Sequence, residues 1–346
     1  MNPATSNNPF RSILAIDMST FGDSLALLPA MRALRAAYPI SALVAAASSG
    51  TCELLSLARF ADDTIDLGVI KSSDRKYTSA LRKLVTLVRR SRQYNFDLVL
   101  DFSPRVETQI ASRLFLRART ITPSRLPRAM ESLLDLVGVP RSLDRSGSSN
   151  HKRVLAQVGA EMTDTTLGVA LPDEEHARFE QRLEKAGSRG GELIVLFYAS
   201  DPGDSRGWPV EAFAETGRRL ANNFDARIIA ADEPSDSAFT GALRAFPAAG
   251  MKTITTVAEP RAVELVAAIA RASIAITDEP AIAQLASELG TPVIEIANSA
   301  SGGFVRSGSH RIIEASTRKR VTIDEVFEGA CELIQESRSS SLFRRP

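Results

Sequence analysis

The stretch Ile13–Tyr38, ILAIDMSTFGDSLALLPAMRALRAAY, restricts the fold most. Ile13, Leu14, Ala15 and Ile16 form a short continuous apolar run, the pattern of a parallel strand buried on both faces. A polar loop, Asp17 to Ser24, follows and holds one glycine and two carboxylates. Leu27, Leu28, Met31 and Leu34 then recur at the three-and-four spacing of an amphipathic helix. Strand, glycine turn and helix together are the first unit of a doubly wound sheet, whose ligands sit at the carboxyl ends of the strands. Gly22-Asp23 lies at that end. The aspartate has two readings: a helix-start residue suited to the helix dipole, or a functional carboxylate. Ser24 could cap as well as Asp23, and neither GxGxxG nor GxxxxGK[ST] is present.

At 346 residues the chain is long enough for two domains. A net charge of +1 gives no global steering field. No apolar run reaches the length of a membrane span, and MNPATSNNPFRS lacks the apolar core of a signal peptide. Cys52 and Cys331 are too few for a disulfide framework or a zinc knuckle, so a cytoplasmic setting is expected. With His151, His176 and His310 as the only histidines, a histidine metal cluster or a Ser-His-Asp site is not expected.

Along the first half, residues 41–45 read as a second strand and Asp62–Asp66 as a loop leading to a third. From Lys71 to Arg92 eight basic residues face Asp74 alone. Leu81, Leu84, Val85 and Val88 give that segment a helical apolar face. It reads either as a solvated helix flank or as a dock for an anionic acceptor or membrane surface. Phe96–Asp101 is a strand bordered by Asp97 and Asp101, which suit loop ends better than chemistry. Arg105, Arg113, Arg117, Arg119, Arg125 and Arg128 then face only Glu107 up to Met130. The first half is therefore locally basic, which suits an acidic partner. No aromatic stacking motif accompanies the arginines, so nucleic acid is not expected. Residues 141–152 lack apolar periodicity and read as the start of an interdomain region ending near Pro172.

Strand–helix alternation begins again after a helix at 174–186 and the GSRGG turn at 187–191. Strands are expected at 193–197, 227–231 and 273–277, and a helix at 263–270. The single tryptophan, Trp208, precedes Pro209 at a helix entry, where proline is apt. A lone Trp is usually core; here Arg206 stands two residues before it. A later segment reads Asp278-Glu279-Pro280-Ala281-Ile282-Ala283-Gln284, continuing as LASELGTPV to Val293. Gly302-Gly303 is either a plain loop or a close approach to a ligand. A closing helix is expected at 321–336, with a loose Arg/Ser-rich tail from Ser337.

Three of these segments, taken in order, resemble glycosyltransferase family 9, the ADP-heptose:lipopolysaccharide heptosyltransferases. They are S-T-F-G-D-S-L-A-L-L-P-A-M-R-A-L-R from Ser19, the basic-Trp-Pro element at Arg206–Pro209, and the segment from Asp278. The resemblance implies a glycosyltransferase B fold. It implies that Asp23 is the general base, with Ser19, Thr20 and Gly22 on the acceptor side. It puts Arg206, Trp208, Glu279, Ala281 and Gln284 at the donor. The chain departs from the family pattern in four places. Asp17 stands where the family has a cation used near an acidic acceptor. Arg206 replaces a lysine, and Tyr198-Ala199 replaces a Pro-Gly turn. Glu279, Pro280, Ala281 and Gln284 replace an Asp-Ser/Thr-Gly-x-x-His loop that holds the donor pyrophosphate. Proline has no N–H to offer a phosphate, and an acid at Asp17 implies a different acceptor or none.

The expectation is thus an α/β protein of two Rossmann-like doubly wound domains facing a cleft. Residues 1–160 would bind acceptor and 161–346 nucleotide sugar; the last helix could pack back on the first domain. The expected activity is inverting, metal-independent transfer of a sugar from a nucleotide donor, ADP-heptose foremost, to a lipopolysaccharide-core-like acceptor. No cofactor besides that co-substrate is expected. Partners would be the nucleotide sugar, an anionic glycan or glycolipid, and the inner membrane face through basic segments 71–92 and 105–128. The rival readings are a same-fold transferase with another nucleotide sugar or acceptor, and a non-catalytic homologue.

Overall fold

The computed structural model describes residues 10–70, 77–103, 118–121, 147–189, 191–199, 207–232, 255–258, 261–297, 309–315 and 320–342. The chain divides into two compact units, Met1–Gly168 and Val169–Pro346. Each is a parallel sheet wrapped by helices.

The first unit runs β1 (Ser12–Ile16), α1 (Phe21–Ser24), α2 (Leu27–Ala37), β2 (Ala42–Ala47), α3 (Ser49–Ala58), β3 (Asp63–Asp66), α4 (Tyr77–Ser91), β4 (Leu98–Asp101), β5 (Arg119–Ile121) and α5 (Gly147–Ala156). The sheet order is β3-β2-β1-β4-β5, and the pairings of β1 with β2 and β4 are parallel. Ile13 to Ile16 are all fully buried, as a strand covered on both faces requires. Leu14 and Ile16 pack with Val44, Val99 and Leu87 of α4. Pro29 is tolerated because it falls in the first turn of α2, where its missing N–H has no intrahelical partner to lose. The order reverses between β1 and β4, so the carboxyl ends of these two strands form this unit's topological switch point.

The second unit runs α6 (Asp173–Lys185), β6 (Ile194–Tyr198), α7 (Val210–Phe224), β7 (Arg227–Asp232), β8 (Thr255–Ala258), α8 (Ala262–Arg271), β9 (Ile274–Thr277), α9 (Pro280–Glu288), β10 (Val293–Ala297), β11 (His310–Glu314) and α10 (Ile323–Leu342). Its six-stranded sheet has the order β11-β10-β9-β6-β7-β8. One face packs Val195, Phe197, Ile228, Ile276 and Ile294 on Phe213 of α7 and Val326 and Leu333 of α10. Here the switch point lies between β6 and β9, whose last residues Tyr198 and Thr277 are in register.

Four expectations need correction. Asp63–Asp66, read as loop, is itself the strand β3, paired with β2. Residues 147–156, read as linker, are a helix with Asn150, His151, Val154 and Leu155 buried. Its apolar residues come only at the end, after a Gly-Ser-Ser opening, so no periodicity showed. Among the described side chains of α4, Leu87 and Ser91 are buried and Leu84 packs on the core, while Val85 of the expected apolar face is 57% exposed. The closing helix continues through the Ser-rich segment to Leu342. Among the described residues no helix is long and apolar enough to cross a membrane.

Candidate functional site

At the first switch point the chain leaves β1 and makes a tight polar loop. Asp17 donates its N–H to the Ala46 carbonyl at 2.8 Å, and its Oδ1 accepts the N–H of Ser19 at 2.9 Å. Its Oδ2 meets His151 Nε2 at 3.0 Å, with the two side chains 0% and 2% exposed. The imidazole lies flat on Phe102, ring centroids 4.5 Å apart. Ser103, after β4, accepts the Met18 N–H on its hydroxyl at 2.7 Å and donates its own N–H to Asp101 Oδ1 at 2.9 Å. The loop is thus stitched to both neighbouring strand ends and to α5.

Asp23 stands apart from these buried groups. It is exposed, on the first turn of α1, while Phe21, Gly22 and Ser24 around it are buried. The Thr20 hydroxyl donates to its Oδ2 at 3.3 Å. Thr20 occupies the N-cap position without a side-chain cap bond. Ser24 does not cap either: its hydroxyl bonds the Phe21 carbonyl and pairs with Thr51. The N-cap position is thus Thr20's, and the helix-start preference of aspartate bears on Asp23 through the dipole. Ser19 and Thr20 are half-buried beside it.

The second switch point carries the other candidates. Thr277 Oγ1 accepts the Glu279 N–H at 3.0 Å, and Asp278 Oδ2 accepts the Trp208 N–H at 2.7 Å. Glu279 is the N-cap residue of α9, with Pro280 in its first turn and no side-chain cap bond. Its carbonyl takes the N–H groups of Ile282 and Ala283. Trp208 lies in the core: its indole N–H donates to the Val321 carbonyl at 3.1 Å and its ring meets Phe213 edge-on. Gln284 is 1% exposed and donates to Glu288 at 2.7 Å; Ala281 is 5% exposed. Trp208 and Gln284 are therefore held inside this unit, and any part they take toward a ligand is positional. Arg206, Gly302, Gly303 and most of 105–128 lie outside the described residues.

The expected acceptor-side effect of Asp17 changes. It is buried against His151, so it presents no open acid to a ligand. Nothing local in the sequence ties His151, Phe102 or Ser103 to this loop; the one signal was a carboxylate following an apolar run, which needs a buried partner. Burial pushes the Cys52 thiol up to about 12, which removes it as a nucleophile. Among the described residues no group of three or more His, Cys, Asp or Glu could hold a metal ion.

Two such domains, each with its site loops at the carboxyl ends of a parallel sheet, define the glycosyltransferase B class of fold. Comparison with solved structures agrees. A glycosyl transferase family 9 structure from Veillonella parvula matches with a TM-score of 0.67 at 15% identity, covering 94% of this chain and 97% of that one. The E. coli ADP-heptose LPS heptosyltransferase II matches at 0.64 and 16% identity, covering 94% and 99%. UDP-GlcNAc 2-epimerase from Neisseria meningitidis, bound to UDP-GlcNAc, matches at 0.58 and 14% identity, covering 94% and 91%. No family model and no curated protein sequence matches the chain.

Proposed function

We propose that the chain is an inverting glycosyltransferase that moves a sugar, heptose from ADP-heptose, onto a lipopolysaccharide-core-like acceptor. The observation that carries this is the exposed Asp23 carboxylate at the first switch point, on a loop that Asp17 and Ser103 hold in place. Asp23 takes the proton of an acceptor hydroxyl, whose oxygen attacks the anomeric carbon as the bond to the diphosphate breaks on the opposite face. A base must come within about 3 Å of that proton. The departing charge falls to Arg206 and the N-terminal end of α9, so a cation and a dipole take the part a metal would otherwise play. The fold shared with an ADP-heptose enzyme supports the donor class.

The acceptor is expected to be anionic. On α4, Arg82 and Arg89 flank Val85 on the exposed side, with Arg92 just beyond. A basic stripe around an exposed apolar residue suits a glycolipid at an anionic membrane face, at about 1 kcal/mol per cation near the surface. This would place the protein in the cytoplasm, touching the inner membrane from that side.

Pro280 favours a second reading. It removes one N–H from the turn that would hold the diphosphate, so a different nucleotide sugar is the alternative; the epimerase bound to UDP-GlcNAc has the same fold.

The test is Asp23→Asn in the full chain, assayed for ADP-heptose consumption with core-oligosaccharide acceptors. A kcat loss of about 10²-fold or more is expected for a lost general base, with donor affinity unchanged. Turnover near the parent level would exclude the role.

A further inference from the structure

We infer that Asp17 and His151 are positioning residues: their buried pair fixes the loop that presents Asp23. The inference rests on the transferase reading for what Asp23 does, but its geometry stands alone. The Asp17 carboxylate uses both oxygens. Oδ1 takes the Ser19 N–H, two residues along the loop, at 2.9 Å. Oδ2 takes His151 Nε2 of α5 at 3.0 Å, 134 residues away in sequence. The imidazole cannot move far, because Phe102 lies parallel beneath it at 4.5 Å and both rings are buried. Phe102 in turn donates its N–H to the Ile16 carbonyl at 2.8 Å, and Met18 N–H bonds Ser103. Every one of these contacts fixes backbone between Ile16 and Ser19, immediately before Thr20 and Asp23.

A buried acid–base pair is a poor way to gain stability, since well-packed apolar side chains do as well or better. What it supplies is direction: two oxygens at fixed angles set the path of the loop, whereas apolar packing leaves it free to slide. The pair therefore belongs to placement of the catalytic carboxylate rather than to the stability of the sheet. Small misplacements of reacting groups cost rate steeply.

The test uses the full chain with three changes: His151→Ala, His151→Gln, and the apolar pair Asp17→Val/His151→Leu. Hydrogen exchange is followed in the amides of 17–24 and in the strands of the second unit, alongside kcat and KM for ADP-heptose. His151→Ala should raise exchange in 17–24 more than tenfold, leave the second unit unchanged, and lower kcat more than tenfold with donor KM within twofold. His151→Gln, which keeps a donor where Nε2 stands, should recover most of both. The apolar pair guards against a His151→Ala chain that does not fold; it should fold stably yet show the fast loop and the low kcat. Parent-level exchange and kcat in the apolar pair would overturn the inference, as would a rise in exchange spread over both units. If no variant, nor the parent, consumes donor, the transferase reading fails, and the exchange result decides the pair by itself.

Discussion

Asp17 and Asp23 share one loop and have opposite surroundings, one sealed against His151 and one open to solvent. Their charges were legible in the sequence, but their environments were not, because the partner of Asp17 lies on a helix 134 residues away. The motif arginines are both tied into the fold. Arg35 clamps Asp62 at 2.7 Å and the Ser41 carbonyl at 2.9 Å, so that part of the motif serves the fold. Arg32 bonds the Thr166 carbonyl at 2.7 Å and lies over Phe60. Gly168 closes the same cluster with φ +66°, and a Cβ there would meet Arg32 Nη1 at 2.9 Å and Phe60 at 3.3 Å. Gly168→Ala should therefore cost about 1–2 kcal/mol for the left-handed backbone, read as a lower urea midpoint. Glu215 carries a pH prediction. Its hydrogen bonds with Arg218 and then Arg219 hold the carboxyl down at about 2. A lowered folded value stabilises the protein above the unfolded value of 4.5, and that contribution is lost as pH falls toward 2. Glu215→Gln should flatten the stability–pH curve in that window, measured by denaturant unfolding.

At the scale of elements, strands and helices with clear periods were legible: buried apolar runs gave β1, β6 and β9, and three-and-four spacing gave α2. Helix α5 was not, because the partner that buries His151 on it is the distant Asp17 rather than anything in the local pattern. Trp208 shows how a motif residue can be read correctly in place and not in contact. It joins the start of α7 to Asp278 and to the chain before α10. Trp208→Phe should leave the Val321 carbonyl unsatisfied and cost about 1–3 kcal/mol, seen in thermal or urea unfolding. If the N-terminus of α9 holds the diphosphate, Pro280→Ser restores an N–H there. ADP should then bind several-fold tighter, about 1 kcal/mol for one added bond, by calorimetry; unchanged affinity would place the diphosphate elsewhere.

At the scale of the molecule, each unit puts its candidate residues at the strand ends where its sheet order reverses, β1/β4 in one and β6/β9 in the other. That placement follows from chain order and sheet topology, which is why short motifs pointed to it. The chemistry of the expected donor turn was less legible, since Glu279-Pro280-Ala281 departs from the pattern it resembles and Gln284 turns inward to Glu288. The measurement that bears most directly on the whole account is calorimetric titration of the purified full chain with ADP, UDP, GDP and ADP-heptose. The expected result is saturable binding of ADP and ADP-heptose, at least tenfold tighter than UDP or GDP. Absence of binding to all four, in a sample that unfolds cooperatively, would contradict a nucleotide-sugar transferase.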